Sequence, residues 1–141
     1  MRNVVIALLT LFSVCLMPTS AVSATPSSPK AKLYFVAPSD GEIVPETFKV
    51  VFGLKGMTIA PAGDNQPNSG HHHLLINVDS LVDFSLPLPA TDNIRHFGGG
   101  QTETLLTLPK GKHTLQLLLG DHLHIPHDKP VMSEKITITV R

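Results

Sequence analysis

The sequence predicts an all-β protein, an antiparallel immunoglobulin-like β-sandwich of about seven strands. Short apolar segments alternate with polar residues at a period of two, which is typical of half-buried strands. Turn-forming residues separate these segments, and no window keeps a helical period of 3.6 between helix caps. A jelly roll or a small barrel is the main rival, because both are built from similar strands.

The chain begins with the features of an export signal. Arg2 supplies a basic start, an apolar stretch follows, and small residues over 21–24 provide a cleavage site, so we predict a cleaved signal peptide over 1–24. The apolar stretch is too short and too poorly flanked to favour a permanent membrane span. Residues 25–31 are polar and contain two prolines, which predicts a disordered lead before a single domain over 32–141. The expected location is therefore periplasmic or secreted.

The first half of the domain supplies three predicted strands. Strand A covers apolar and aromatic residues and is closed by a turn at 38–41. Strand B is the clearest, because Phe48, Val50 and Phe52 alternate with less apolar neighbours. A polar, Gly/Pro-rich segment over 55–70 precedes strand C, and loops of this length are often functional.

The second half of the domain supplies the remaining four predicted strands. Strand D is the weakest, because Pro87 and Pro89 would confine it to a sheet edge. A glycine run at 98–100 precedes strand E, a turn at 109–112 separates E from F, and strand G alternates to the end of the chain. The predicted bounds are A 32–36, B 48–54, C 72–78, D near 83–88, E 102–108, F 113–119 and G 133–140.

Composition excludes several classes of protein. Cys15 is the one cysteine, and it lies inside the predicted signal. The mature chain would therefore have no disulfide, thiolate nucleophile, zinc ribbon or cysteine-ligated iron–sulfur cluster. Removal of Arg2 leaves ten basic against eleven acidic residues, with no basic stripe, so nucleic acid is not an expected partner.

All eight histidines lie after the predicted signal, and seven of them are expected at one end of the sandwich. The B–C and F–G loops emerge at the same end in this topology, and the D–E loop joins them if one strand lies between C and E. These histidines are His71, His72, His73, His96, His122, His124 and His127. Met57 and Met132 flank strands at that end too. His113 lies at the other end, where we expect a packed, hydrogen-bonded structural residue.

Alternate residues of a strand share a face, so each His-x-His pair can present two imidazoles to one point. Imidazole suits copper, zinc and nickel, and thioether adds selectivity for Cu(I). Asp121 and Asp128 are expected to fix histidine tautomers. The predicted ligands are His71, His73, His96, His122 and His124, with His72, His127, Met57 and Met132 in reserve, and the predicted cofactor is copper, with zinc possible as the alternative.

Four ordered motifs run through the chain. They are GMTIAPAG over 56–63, SGHHHLLI over 69–76, HFGGGQTE over 96–103, and GKHTLQL over 111–117 with GDH at 120–122. Together they resemble a bacterial exported family known only as domain of unknown function number 4399. The likeness covers about residues 33–140. It implies a small secreted β domain, and it supplies no activity.

We therefore predict a monomeric periplasmic protein that binds a metal, copper in the first place, for binding or delivery and not for turnover. Its expected partners are the metal ion and a periplasmic protein, with no membrane span after signal removal. The alternative is a non-catalytic interaction module with a structural or pH-responsive histidine network. A third hypothesis is a zinc hydrolase or lyase in which Glu103 acts as base, and it requires an open coordination position.

Overall fold

The computed structural model describes residues 24–80 and 83–141. All but the last residue of the predicted signal peptide lie outside these ranges. The described residues form strands and connecting loops without a helix, and so contain none that could cross a membrane. The strands are β1 (Lys32–Ala37), β2 (Ile43–Val44), β3 (Thr47–Lys55), β4 (Thr58–Ile59), β5 (Ser69–Ile76), β6 (Ile94–His96), β7 (Glu103–Thr107), β8 (Gly111–Gly120) and β9 (Ile136–Val140).

The strands form two sheets. One has the order β1-β3-β7, and the other has the order β2-β9-β8-β5-β4, with β6 also paired to β5. All pairings are antiparallel except those of β2 with β9 and of β4 with β5. Strands A, B and E are thus in one sheet and C, F and G in the other, so the predicted immunoglobulin-like sandwich is confirmed.

Predicted strand D is wrong. The structure has no strand over the described residues 83–88, and the additional strand is β6, which begins six residues after the end of the predicted strand D. Pro87 and Pro89 cannot donate ladder hydrogen bonds, whereas Ile94 and Arg95 pair directly with β5. His96 is consequently part of a strand and not of a D–E loop.

The two faces of β5 pack against different groups of residues. Leu74 and Ile76 face the main core between the sheets, together with Leu115 and Leu117 of β8. Leu75 faces the other way, in a smaller apolar cluster outside the second sheet, whose members are Leu75, Leu88, Ile94 and Leu118. Because both faces are covered, all eight residues of β5 are buried. The outer face of β5 is where the histidine site lies.

The lead over residues 25–31, predicted to be disordered, makes hydrogen bonds to the β8–β9 loop. The Thr25 hydroxyl donates to Oδ2 of Asp121 at 2.6 Å, and the backbone N–H of Asp128 donates to the Thr25 carbonyl at 3.0 Å. The Ser27 hydroxyl donates to the Lys129 carbonyl at 2.9 Å. These bonds join residues about a hundred positions apart, which is why local composition does not reveal them.

Candidate metal centre

Strand β5 provides two buried imidazoles on one face. His71 and His73 alternate along the strand, point to its outer face and are both 0% exposed. Their ring centres lie 4.7 Å apart. His72 points the opposite way, into the main core, where its ring lies 5.0 Å from that of Phe52. The expected division of the histidine triplet between two faces is confirmed.

The third imidazole comes from the loop between β8 and β9. His124 has a backbone φ of 64°, and its N–H donates to the Asp121 carbonyl at 2.9 Å. Oδ1 of Asp121 accepts from the N–H groups of Leu123 and Ile125 at 2.8 and 3.0 Å. This tight turn places the ring of His124 over the outer face of β5. The predicted His122/His124 pairing through strand alternation is wrong, because these residues form a turn.

Three ring nitrogens converge at this point. His71 Nε2 lies 2.9 Å from His124 Nδ1, and His73 Nε2 lies 3.4 Å from the same atom. The ligand atoms of the three residues lie within 4.8 Å of one another. A metal–imidazole bond of about 2.0–2.1 Å places two nitrogens of a tetrahedral ion about 3.3 Å apart. Both atom pairs are close to that separation, so this trio could hold a metal ion.

His96 lies directly beside the trio. It is paired with His73 across the β5–β6 ladder, and the two ring centres are 4.3 Å apart. Its ring stacks on that of His124, with centres 4.8 Å apart and planes inclined by 29°. His96 Nε2 donates to the Pro89 carbonyl at 3.1 Å, since a carbonyl oxygen can only accept. His96 and His124 are partly exposed and form the outer side of the site.

Burial keeps the inner imidazoles neutral. Burial is the largest of the effects that lower the pKa of His71 to about 4 and that of His73 to about 2, and the neighbouring histidines contribute in the same direction. The pKa of His96 is lowered by burial as well, against the opposing effect of its bond to Pro89. A neutral imidazole offers a lone pair to a metal. The inner nitrogens therefore remain available as ligands at neutral and mildly acidic pH.

Besides His96, three predicted histidine ligands lie outside the trio. His72 faces the core and has no hydrogen-bond partner among the described residues on either ring nitrogen. The buried His127 donates from Nε2 to the Ser69 carbonyl at 3.0 Å, which ties the β8–β9 loop to the start of β5. His122 is partly exposed, and its carbonyl accepts from Gly63 N–H at 2.9 Å.

The two methionines predicted as reserve ligands, Met57 and Met132, take part in apolar packing. Met57 is buried in the main core between the sheets. Met132 packs against the outer apolar cluster, and its backbone bridges to Leu118. A thioether behaves as a flexible apolar group in such surroundings.

The prediction that Asp121 and Asp128 fix histidine tautomers is wrong, because in the part of the chain that the structure describes both carboxylates bond to other groups. Asp121 accepts from Thr25 and from two backbone N–H groups of its own turn. Burial raises the pKa of Asp121, but these hydrogen bonds outweigh it and hold the pKa below its ordinary value. Asp128 accepts from the backbone N–H groups of Ser27 and Lys129. The acceptor that orients a site histidine is instead the Pro89 carbonyl, which no side-chain pattern could indicate.

His113 confirms the structural role predicted for it. It is buried at the far end of β8, and its Nε2 donates to the Pro109 carbonyl at 2.8 Å. Its Nδ1 then accepts from the Asn77 side-chain amide at 2.9 Å. Both ring nitrogens are used, so this imidazole is a hydrogen-bonded link between two loops.

Alanine in place of Gly120 is expected to weaken metal binding by displacing an inner ligand. A methyl group there would overlap Cε1 of the His73 ring and lie 3.0 Å from its Nδ1. Because that ring is fully buried, we expect a loss of about 1–3 kcal/mol in the free energy of unfolding together with lower metal affinity. Urea denaturation and metal titration measure both.

Gly99→Ala is the matched control, because the nearest atoms that its added methyl would meet belong to the exposed side chain of Gln101. Equal metal affinity in the Gly120 variant and wild type would show that the position of the His73 ring does not matter.

The comparisons with known proteins give a family and two distant structural likenesses. A family model described as "Domain of unknown function (DUF4399)" matches residues 50–141. A comparison with curated proteins found no match. The endo-beta-1,4-mannanase from Thermotoga petrophila is similar at 16% identity and a TM-score of 0.47, over 79% of this chain and 20% of that one. Fibronectin(III)-like modules of CbhA from Clostridium thermocellum are similar at 11% identity and a TM-score of 0.40, over 79% and 45%. The chain thus spans a fifth and under half of their lengths.

Proposed function

Since the chain belongs to the DUF4399 family, whose description names no activity, we propose its function from the site itself: a periplasmic protein that binds a transition metal, copper in the first place, for storage or delivery. The observation that carries this proposal is the convergence of three imidazole nitrogens from His71, His73 and His124. Two of them are fixed by a buried strand and the third by a hydrogen-bonded turn.

The two inner histidines also carry buried nitrogens left unpaired by the described residues. Nδ1 of His71 and Nδ1 of His73 are buried and have no hydrogen-bond partner among the described residues. Most buried polar atoms in folded proteins are hydrogen-bonded, and an exception is a place at which a missing ion or water should be considered. The Nε2 atoms of the same two rings approach His124, so within the described ranges no other hydrogen bond holds either inner imidazole away from an ion. The core residue His72 also has ring nitrogens that are unpaired within those ranges.

The donor set favours copper. In the ranges that the structure describes, the groups that converge are imidazoles alone, without a carboxylate. Imidazole donors suit copper, zinc and nickel, while hard ions such as magnesium and calcium prefer oxygen. Among divalent ions at a nitrogen site, copper binds more tightly than zinc or nickel. The export signal expected at residues 1–24 supports a role outside the cytoplasm.

A pH-responsive histidine network is the second candidate. The 2.9 Å bond between His71 and His124 favours it, because protonation of both residues would break that bond and create repulsion. This function needs no metal. The two candidates differ in one respect: only the first predicts a tight, stoichiometric complex with an ion at neutral pH.

Competition titration of protein purified without an affinity tag or chelator tests the proposal. We expect one equivalent of copper to bind with a Kd well below about 1 µM, a free energy beyond about −8 kcal/mol. The affinities for Cu(I), Cu(II) and Zn(II) should be measured separately. We expect copper in one of its two oxidation states to bind more tightly than zinc. Binding of all three ions weaker than about 1 µM would refute the metal function and leave the pH-responsive network as the better explanation.

A further inference from the structure

The four site histidines form a closed ring of imidazoles. Going around it, the ring centres are 4.7 Å apart for His71–His73, 4.3 Å for His73–His96, 4.8 Å for His96–His124 and 4.6 Å for His124–His71. One diagonal, His73–His124, measures 5.6 Å. Imidazoles that bind one ion through bonds of about 2.0–2.1 Å have ring centres about 4.5–6 Å apart. The ring centre of His96 lies 4.3 and 4.8 Å from those of His73 and His124, at or just below that range, so His96 is adjacent to the three convergent ligands.

The tautomer of His96 is already the one a ligand needs. Its Nε2 carries a proton, because it donates to the Pro89 carbonyl at 3.1 Å. In the neutral ring Nδ1 is then unprotonated and has a free lone pair. Metal-binding histidines commonly donate their other ring N–H to a backbone carbonyl in this way, which orients the ring and makes the ligand more basic.

The exposure of the four residues divides the ring into an inner and an outer pair. His71 and His73 are fully buried, whereas His96 and His124 are partly exposed and stacked on each other. The backbone of residues 88–89 holds both outer residues, since Leu88 N–H donates to the His124 carbonyl at 2.9 Å and the Pro89 carbonyl accepts from His96. A single short segment thus orients both outer histidines.

We propose that His96 is the fourth ligand, which binds through Nδ1 and completes a four-imidazole site. This inference rests on the proposed metal function and defines its coordination. Catalytic metal sites keep one position open for water or substrate, whereas closed sites with four protein ligands hold the ion. A fourth imidazole from His96 fills that position, so the site stores or transfers metal and does not hydrolyse a substrate.

X-ray absorption spectroscopy of the copper-loaded protein tests the ligand count. We expect four imidazole ligands in the wild type and three in His96→Gln, with copper affinity lower by about 10-fold or more. His122→Gln is the matched control, because His122 is also partly exposed and lies outside the ring of four, and its count should stay at four. The number of imidazole ligands in the wild-type protein tests the proposal even if a variant folds poorly.

Each outcome separates the two proposals. A wild-type protein that binds copper tightly through three imidazoles, or a His96→Gln protein that keeps four, overturns the assignment of His96 and leaves the metal function standing. A wild-type protein that binds neither copper nor zinc overturns both. Four imidazoles that fall to three only in the His96 variant support the closed site.

Discussion

Asparagine in place of His124 is expected to weaken metal binding by at least about 100-fold while the fold is retained. Removal of a residue that hydrogen-bonds to a metal ligand typically lowers the metal affinity by about 10–100-fold. Removal of the ligand itself should lower it at least as much. His124 Nδ1 is the atom that both inner nitrogens approach, at 2.9 and 3.4 Å, so its removal leaves the trio without its shared member.

Asparagine is the appropriate replacement because of the backbone at this position. The φ of 64° is left-handed, a conformation that asparagine adopts more readily than other residues with a side chain, apart from aspartate and histidine. Alanine would combine loss of the ligand with backbone strain. The partial exposure of His124 also means that little apolar packing is lost.

Competition titration and thermal unfolding of His124→Asn and of His122→Asn measure the effect. His122 lies in the same loop, and its substitution should leave the copper affinity within about 3-fold of wild type, because surface substitutions are usually neutral within about 0.5 kcal/mol. If both variants bound copper as tightly as wild type, the trio would not be the metal site.

Local pattern was sufficient for the inner half of the site. Alternation along a strand places His71 and His73 on one face and His72 on the other, and the sequence alone predicts this arrangement. The same rule fails at His122 and His124, because a turn with a left-handed residue replaces the strand. That turn depends on hydrogen bonds to the Asp121 side chain, whose geometry the spacing does not specify.

Long-range contacts determine the outer half. Strand β6 is only three residues long, and it forms because it pairs with β5, which puts His96 opposite His73. Its own sequence has no distinct strand signal, and the more apolar stretch before it contains two prolines. The Thr25 hydroxyl is likewise supplied by a residue 96 positions away from Asp121, whose side chain it contacts.

Acidification from pH 7 to pH 5 is expected to destabilise the metal-free protein by several kcal/mol. The pKa values of His71 and His72 are about 4 in the folded protein, lowered first by burial, against 6.5 in the unfolded chain. Between these values the unfolded chain binds more protons, so stability falls as the pH falls from about 6.5 towards 4 and is unaffected above that window. Each of these residues should remove about 2 kcal/mol between pH 7 and pH 5.

Urea denaturation at a series of pH values measures this loss, and two comparisons identify its source. His72→Leu removes a buried imidazole that has no hydrogen-bond partner among the described residues and faces Phe52, so stability at pH 7 should be unchanged or higher. Its stability should also fall less steeply with acid, while copper affinity stays near that of wild type, because this ring points away from the trio.

The second comparison uses the copper-loaded proteins. Bound copper keeps His71 and His73 unprotonated and should reduce the remaining dependence of stability on pH in both proteins. A metal-free wild type equally stable at pH 7 and pH 5 would contradict the neutral, buried state of these imidazoles, on which both the metal site and its retention in mild acid depend.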